Sequence, residues 1–122
     1  MDSVQTEIAR FLAEKAMRQT RATYQQVGDS VGWNHPTGRG LSKKLEVVLH
    51  ALHDRGLPPL TAILVKRGER HPAPDAMAYI RGALGDINIK AAQREVFAFD
   101  WRSLPDLAPE RVSAFLLEAE PL

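Results

Sequence analysis

The chain has 122 residues, of which 44% are hydrophobic and 25% charged, and its formal net charge is +1. This length and composition fit one compact globular domain and argue against intrinsic disorder. The sequence contains no cysteine, which excludes disulfides, cysteine-ligated zinc and a thiol nucleophile. No signal-peptide core is visible, and no apolar run approaches the roughly 20 residues that span a bilayer. We therefore expect a cytoplasmic protein without a membrane segment.

Charge is unevenly distributed along the chain. Residues 1–71 hold 11 Lys or Arg against 7 Asp or Glu, a net of +4, whereas residues 72–122 hold 5 against 8, a net of −3. A basic part within a nearly neutral chain is typical of nucleic-acid-binding modules, because a basic face releases counterions from the phosphate backbone when it binds. We predict a DNA-binding core in residues 1–71 and a helical extension, packed on that core, in residues 72–122.

The first half of the chain predicts three helices. Apolar residues recur at helical spacing over residues 4–17, and Ser3 is a plausible N-cap. A short second helix is expected from residue 23 or 24 to residue 31, ended by Gly32. After a segment dense in turn-forming residues, a third helix is expected from residue 37 or 38 to about residue 55, before Gly56.

The third predicted helix is amphipathic. Its apolar side is formed by Leu41, Leu45, Val48 and Leu52. At about 100° per residue, the opposite side presents Arg39, Lys43 and His50. An apolar side for the core and a basic side for solvent are the properties of a DNA-recognition helix.

A strand and a charged turn follow the third helix. Pro58 and Pro59 disfavour helix, and the apolar residues 60–65 predict a buried strand. Residues 66–70 then form a charged turn around Gly68. The order of three helices, a strand and a basic turn predicts a mainly α fold with a small β wing, that is, a winged helix-turn-helix.

The last third of the chain predicts further helices. Helices are expected over residues 74–84, from residue 88 or 89 to about 99, and after Pro109. Phe97, Phe99 and Trp101 form the most aromatic stretch, which is interpreted as core or as a seam against the first half. A surface for a protein partner or for a second copy of the chain, over residues 89–119, is the alternative.

Several short motifs occur in a distinctive order between residues 20 and 68. They are Thr23-Tyr24 at a helix start, Gly32-Trp33-Asn34 in a turn, Arg39 on the next helix, and Leu57-Pro58-Pro59-Leu60 before a strand. This segment resembles the DNA-binding half of alkylguanine-DNA alkyltransferases and of their non-catalytic alkyltransferase-like relatives. Catalytic members carry Pro-Cys-His-Arg at the end of the strand, where this chain has Leu64-Val65-Lys66-Arg67. Alkyl transfer to cysteine is therefore excluded.

The resemblance implies non-catalytic binding of duplex DNA, in a regulatory or DNA-modification-sensing role. It implies that Tyr24 presses on a phosphate and that Arg39 fills the gap left by a flipped nucleotide, in the minor groove. A guanidinium can stack where a base was and still form hydrogen bonds. This chain has Lys43-Lys44 where the family has small residues, so phosphate or major-groove contacts are an equal alternative.

The residues selected as candidate DNA contacts come from four parts of this pattern. They are Thr23, Tyr24, Asn34, His35, Arg39, Ser42, Lys43, Lys44, Lys66 and Arg67. Structural alternatives remain open for most of them: Asn34 and His35 as helix caps, Tyr24 as a packing residue, and the cations as an ordinary solvated surface. Trp33 is expected to fill the core.

Three other classes of function were considered. A protein-interaction module, either an adaptor or an inhibitor, is the main alternative, because an acidic partner would select the same basic helix. An enzyme is disfavoured, since no nucleophile–base pair, phosphate-binding glycine loop or group of converging carboxylates is evident. The spacing of His50, His53 and Asp54 fits surface residues better than a metal site. No cofactor or metal is therefore expected.

Overall fold

The computed structural model describes residues 2–32, 41–104 and 106–107. Within these ranges the chain is mainly helical. The elements in order are α1 (Ser3–Met17), β1 (Ala22–Thr23), α2 (Tyr24–Ser30), α3 (Leu41–Asp54), a 3-10 helix (Leu60–Ile63), β2 (Leu64–Val65), α4 (Pro74–Leu84), α5 (Ile89–Ala98) and a second 3-10 helix (Trp101–Ser103). The predicted mainly α class with a small β component is confirmed.

Helix α1 begins one residue earlier than the sequence predicts. The N-cap is Asp2, whose carboxylate accepts a hydrogen bond from the Gln5 N–H at 2.7 Å, while the Gln5 side chain accepts one from the Asp2 N–H at 2.8 Å. The prediction of Ser3 as the cap was wrong. Asp2 is favoured because a glutamine stands three residues after it, which completes the reciprocal capping pair.

The predicted bounds of α2, α4 and α5 are confirmed to within a residue or two. Thr23 caps α2 and Asn88 caps α5, each with a side-chain oxygen that accepts an N–H of the first turn. Gly85 ends α4 with φ of +83°, a conformation that glycine adopts without strain. The predicted start of α3 at residue 37 or 38 lies outside the described residues.

The predicted strand over residues 60–65 is only partly present. Leu60–Ile63 form a 3-10 helix, and only Leu64–Val65 are extended. All six residues are buried, so the prediction of burial was right and the prediction of a six-residue strand was wrong. A short run that is almost entirely apolar shows no clear period, and burial alone does not distinguish an extended from a helical backbone.

The two strands pair in parallel, with Ala22 opposite Leu64 and Thr23 opposite Val65. The charged turn is present: the Glu69 N–H donates to the Lys66 carbonyl at 2.9 Å, and Gly68 has φ of +80°. Residues 69–73 contain no strand. The chain runs from this turn into α4, so the small β component is formed by β1 and β2 and not by a second strand after the turn.

A single hydrophobic cluster joins the first and last parts of the described chain. Its members include Ile8, Leu12, Leu45, Leu52, Leu64, Val96, Trp101 and Leu107. Trp101 is fully buried and donates its indole N–H to the Val96 carbonyl at 2.9 Å, so its interpretation as a core residue is confirmed. Phe99 packs against it with ring centroids 4.6 Å apart. Trp33 and the helix predicted after Pro109 lie outside the described residues.

Candidate nucleic-acid interface

Helix α3 is held by the apolar side that its sequence predicts. Leu41, Leu45, Val48 and Leu52 are buried, and Leu49 is buried with them. These side chains pack the helix between α1 and α4. The opposite side, which we call the outer face of α3, is left to solvent and contains Lys43, Glu46, Val47, His50, Ala51 and Asp54.

The outer face of α3 carries charges of both signs. Lys43 is exposed as predicted, and so is Ser42 beside it. Glu46 and Asp54 lie on the same face, and the Glu46 carboxylate is 3.8 Å from the Nε2 atom of His50. The predicted exposure is confirmed for Lys43 and His50. The predicted basic character is reduced over the described part of the face, because Glu46 and Asp54 offset Lys43.

Lys44 lies in an ion pair. Its Nζ atom is 2.8 Å from the carboxylate of Asp2. This hydrogen bond is the main reason that the pKa of Asp2 lies below its ordinary value. The pair joins the first turn of α3 to the cap of α1. A DNA contact by Lys44 would have to compete with Asp2.

Thr23 and Tyr24 both have structural partners. The Thr23 hydroxyl accepts the Gln26 N–H at 3.2 Å, so it caps α2. The Tyr24 hydroxyl accepts the Ala73 N–H at 3.2 Å, and burial raises the pKa of this phenol. Because that hydroxyl acts as an acceptor toward Ala73, its own proton is not used in this hydrogen bond.

Lys66 and Arg67 are exposed in the turn that follows β2. Since Thr23 pairs with Val65 in a parallel register, the chain leaves β1 into Tyr24 at the same sheet edge where it leaves β2 into Lys66. The sheet therefore brings Tyr24 and the turn together from distant parts of the sequence. Arg39, Asn34 and His35 lie outside the described residues.

A second cationic surface was missed by the sequence reasoning. A cavity of about 360 Å³ lies between the residue before β1, the loop after the turn, and α5. We call it the basic pocket, and its lining residues are Arg21, Arg70, His71, Lys90, Gln93, Arg94 and Phe97. Lys90 and Arg94 are four residues apart, so helical periodicity could have paired them. Only the tertiary fold adds Arg21 and Arg70.

The described residues provide neither a metal-binding cluster nor a helix that could span a membrane. Residues 2–32, 41–104 and 106–107 contain no group of three or more His, Asp or Glu side chains placed to hold a metal ion. The helices within those ranges are all too short or too polar to cross a bilayer.

Comparison of the chain with protein-family models, with curated proteins and with solved structures found no match. The resemblance to the DNA-binding half of alkyltransferases therefore stays a prediction from the motifs at residues 23–24, 32–34, 39 and 57–60.

Proposed function

We propose that this protein binds duplex DNA without modifying it covalently, through the first turns of α3 and the turn at Lys66 and Arg67. The fold would then be a variant of the winged helix-turn-helix in which the basic turn replaces a full wing. The role would be regulatory or DNA-modification-sensing, as the motif resemblance implies.

The observation that carries this proposal is the register of the two strands. It brings the start of α2 at Tyr24 to the same end of the sheet as the turn that contains the exposed Lys66 and Arg67. Phosphate contacts in protein–DNA complexes come from such combinations of lysine, arginine and hydroxyl groups. Lys43, at the exposed beginning of α3, adds a cation on a helix that could enter a groove.

The test is fluorescence anisotropy with a mixed-sequence duplex over a series of salt concentrations. We expect binding that weakens steeply as salt rises, because cations bound to phosphates displace counterions. The double variant Lys66→Ala/Arg67→Ala should bind severalfold more weakly, and each lost phosphate contact should reduce the salt slope by about 0.9. Arg39→Ala and Lys43→Ala should also bind severalfold more weakly.

A matched control is the double variant Arg81→Ala/Arg102→Ala, which removes two exposed cations from α4 and the second 3-10 helix. Equal losses in both double variants would show that only net charge matters and would overturn the assigned interface. Absence of binding at about 50 mM salt, where phosphate contacts are still strong, would overturn the function itself. A duplex with one alkylated guanine, used in parallel, tests the modification-sensing role.

A protein-interaction module is the second candidate, and one observation favours it. Val47 is 43% exposed on the outer face of α3, among the polar side chains of Lys43, Glu46 and His50. An apolar centre with a polar rim is a common arrangement at protein interfaces. If DNA does not bind at low salt, Val47→Glu should weaken binding to the protein partner.

A further inference from the structure

The basic pocket concentrates positive charge from three separate parts of the chain. Arg21 precedes β1, Arg70 lies in the loop before α4, and Lys90 and Arg94 lie on α5. His71 lies beside them, and the described residues that line the cavity include no carboxylate. Four cations around one small volume repel one another unless an anion neutralises them.

Four other cations of the described chain have acidic partners. Arg10, Arg18, Lys44 and Arg55 each lie within 2.8 Å of a carboxylate oxygen. Among the described residues, no such ion pair involves Arg21, Arg70, Lys90 or Arg94. Among the described residues, no carboxylate therefore competes with a ligand for these four cations.

A buried amide organises the wall of the pocket. Gln93 is only 4% exposed, and its Nε2 atom donates to the Ala62 carbonyl at 2.9 Å and to the Arg70 carbonyl at 3.0 Å. Its Oε1 atom accepts from the Arg21 guanidinium at 3.5 Å. Gln93 thus fixes the loop of Arg70 to α5 and orients Arg21 at the same time, which reduces the cost of ordering these groups around a ligand.

We propose that the basic pocket binds a phosphorylated organic small molecule. Arginine offers paired N–H donors that match phosphate oxygens, and lysine adds a point charge. The cavity of about 360 Å³ is within the range of small-ligand pockets, roughly 300–1,000 Å³. Phe97 gives the pocket an apolar wall for the uncharged part of the ligand. This site uses none of Lys43, Lys66 and Arg67, so it goes beyond the proposed DNA interface.

The test is isothermal titration calorimetry with tripolyphosphate and with ATP as probes, at matched ionic strength. We compare wild type with Lys90→Ala/Arg94→Ala, which removes two exposed side chains of α5, and with the control Arg81→Ala/Arg102→Ala. Both double variants lose the same charge. Because the pocket variant loses two charged hydrogen-bond donors, we expect it to bind at least about tenfold more weakly and the control to stay within about twofold of wild type.

Three results would overturn the proposal. The first is failure of both probes to bind wild type at millimolar concentration, and the second is an equal loss in the control variant. The third is binding of tripolyphosphate without ATP, which would exclude an organic ligand. Circular dichroism of each variant verifies that the helices are intact.

Duplex DNA is the other source of phosphate. Measuring the affinity of the same variant for DNA and for tripolyphosphate distinguishes DNA from a small-molecule ligand. We expect Lys90→Ala/Arg94→Ala to retain DNA affinity while losing tripolyphosphate. A parallel loss of both would assign the pocket to the DNA backbone and overturn the small-molecule site. If wild type binds tripolyphosphate and no DNA, the proposed function fails and the pocket assignment stands.

Discussion

The outer face of α3 and the basic pocket are two exposed charged regions that differ in how they are built. The outer face comes from one helix, and its Lys43 is offset by Glu46 and Asp54. The pocket comes from three segments, and every charged side chain that lines it among the described residues is a cation or a histidine. The region that resembles a recognition helix in the sequence therefore has a lower concentration of positive charge than the pocket.

This difference shows what a helical pattern does and does not determine. Periodicity identifies which side of a helix faces solvent, since the buried side must meet the core. The electrostatic field of a surface is instead a sum over all nearby charges, whichever segment supplies them. Arg21 and Arg94 are far apart in the sequence and line the same cavity.

The largest expected effect is a loss of stability when the buried amide behind the basic pocket is removed, whereas the outer face of α3 has no such buried support among the described residues. In Gln93→Leu, the carbonyls of Ala62 and Arg70 lose their donor, and an unsatisfied buried polar group costs about 1–3 kcal/mol. We expect the free energy of unfolding to fall by about 2–4 kcal/mol, measured by urea denaturation. The control Gln25→Leu, on the exposed surface of α2, should change it by less than about 0.5 kcal/mol. Similar losses in both variants would show that Gln93 does not hold the pocket together.

The next effect concerns the loop that joins the turn to α4. Tyr24→Phe removes the acceptor of the Ala73 N–H, so we expect a loss of about 1 kcal/mol in the free energy of unfolding. Tyr79→Phe is the matched control, because the Tyr79 hydroxyl is buried without a hydrogen-bond partner among the described residues. Its removal should be neutral or stabilising. The reverse order of stability in thermal melts would contradict this account of the two tyrosines.

A smaller effect tests whether α3 faces DNA at all. Glu46→Lys makes the outer face predominantly basic, and we expect severalfold tighter duplex binding with a salt slope steeper by about 0.9. Glu95→Lys, on the exposed side of α5, changes net charge equally at a different place. If both substitutions raise affinity alike in the anisotropy assay, the outer face of α3 is not the DNA-binding side.

The smallest effect comes from the paired cations that contrast with the pocket. The Arg55 hydrogen bond holds the pKa of Asp106 below its ordinary value, and Lys44 does the same for Asp2. A depressed carboxyl pKa contributes stability above the ordinary value near 3.8, and this contribution is lost as pH falls through the folded-state pKa. Urea midpoints measured between about pH 5 and pH 2.5 should therefore decline less steeply in Arg55→Ala than in wild type. An identical decline would show that the Arg55–Asp106 pair is not formed in solution.

Helix bounds were predictable because caps are local. Thr23, Asn88 and Gly85 act within one turn of their own position, so their roles are visible in the sequence. The N-cap of α1 was nevertheless predicted wrongly as Ser3, although the capping pair of Asp2 with Gln5 is also local. The local sequence could not predict the 3-10 helix at Leu60–Ile63 or the lack of a strand after the charged turn. The parallel pairing with Ala22–Thr23 determines where the chain is extended.

The candidate site was predictable only in part. The exposure of Ser42, Lys43, Lys66 and Arg67 follows from the pattern and is confirmed. The partner of Lys44 was not predictable, since Asp2 is brought to it by the packing of α1 on α3. The pocket was missed for the same reason: no motif links Arg21, Arg70 and Arg94.

The pairing of Ala22 with Leu64 also bears on the rate and order of folding. Closing it encloses about forty residues, an entropic cost that two strand residues cannot recover by themselves. The hydrogen bonds within α1 and within α3 join residues four apart, so these helices are expected to form before the strands meet. Arg21 is next to one strand and Arg70 follows the other, so ligand affinity at the pocket would appear only in the last phase of refolding. A phosphate probe added during refolding would report the completion of the native topology, later than the recovery of helical signal.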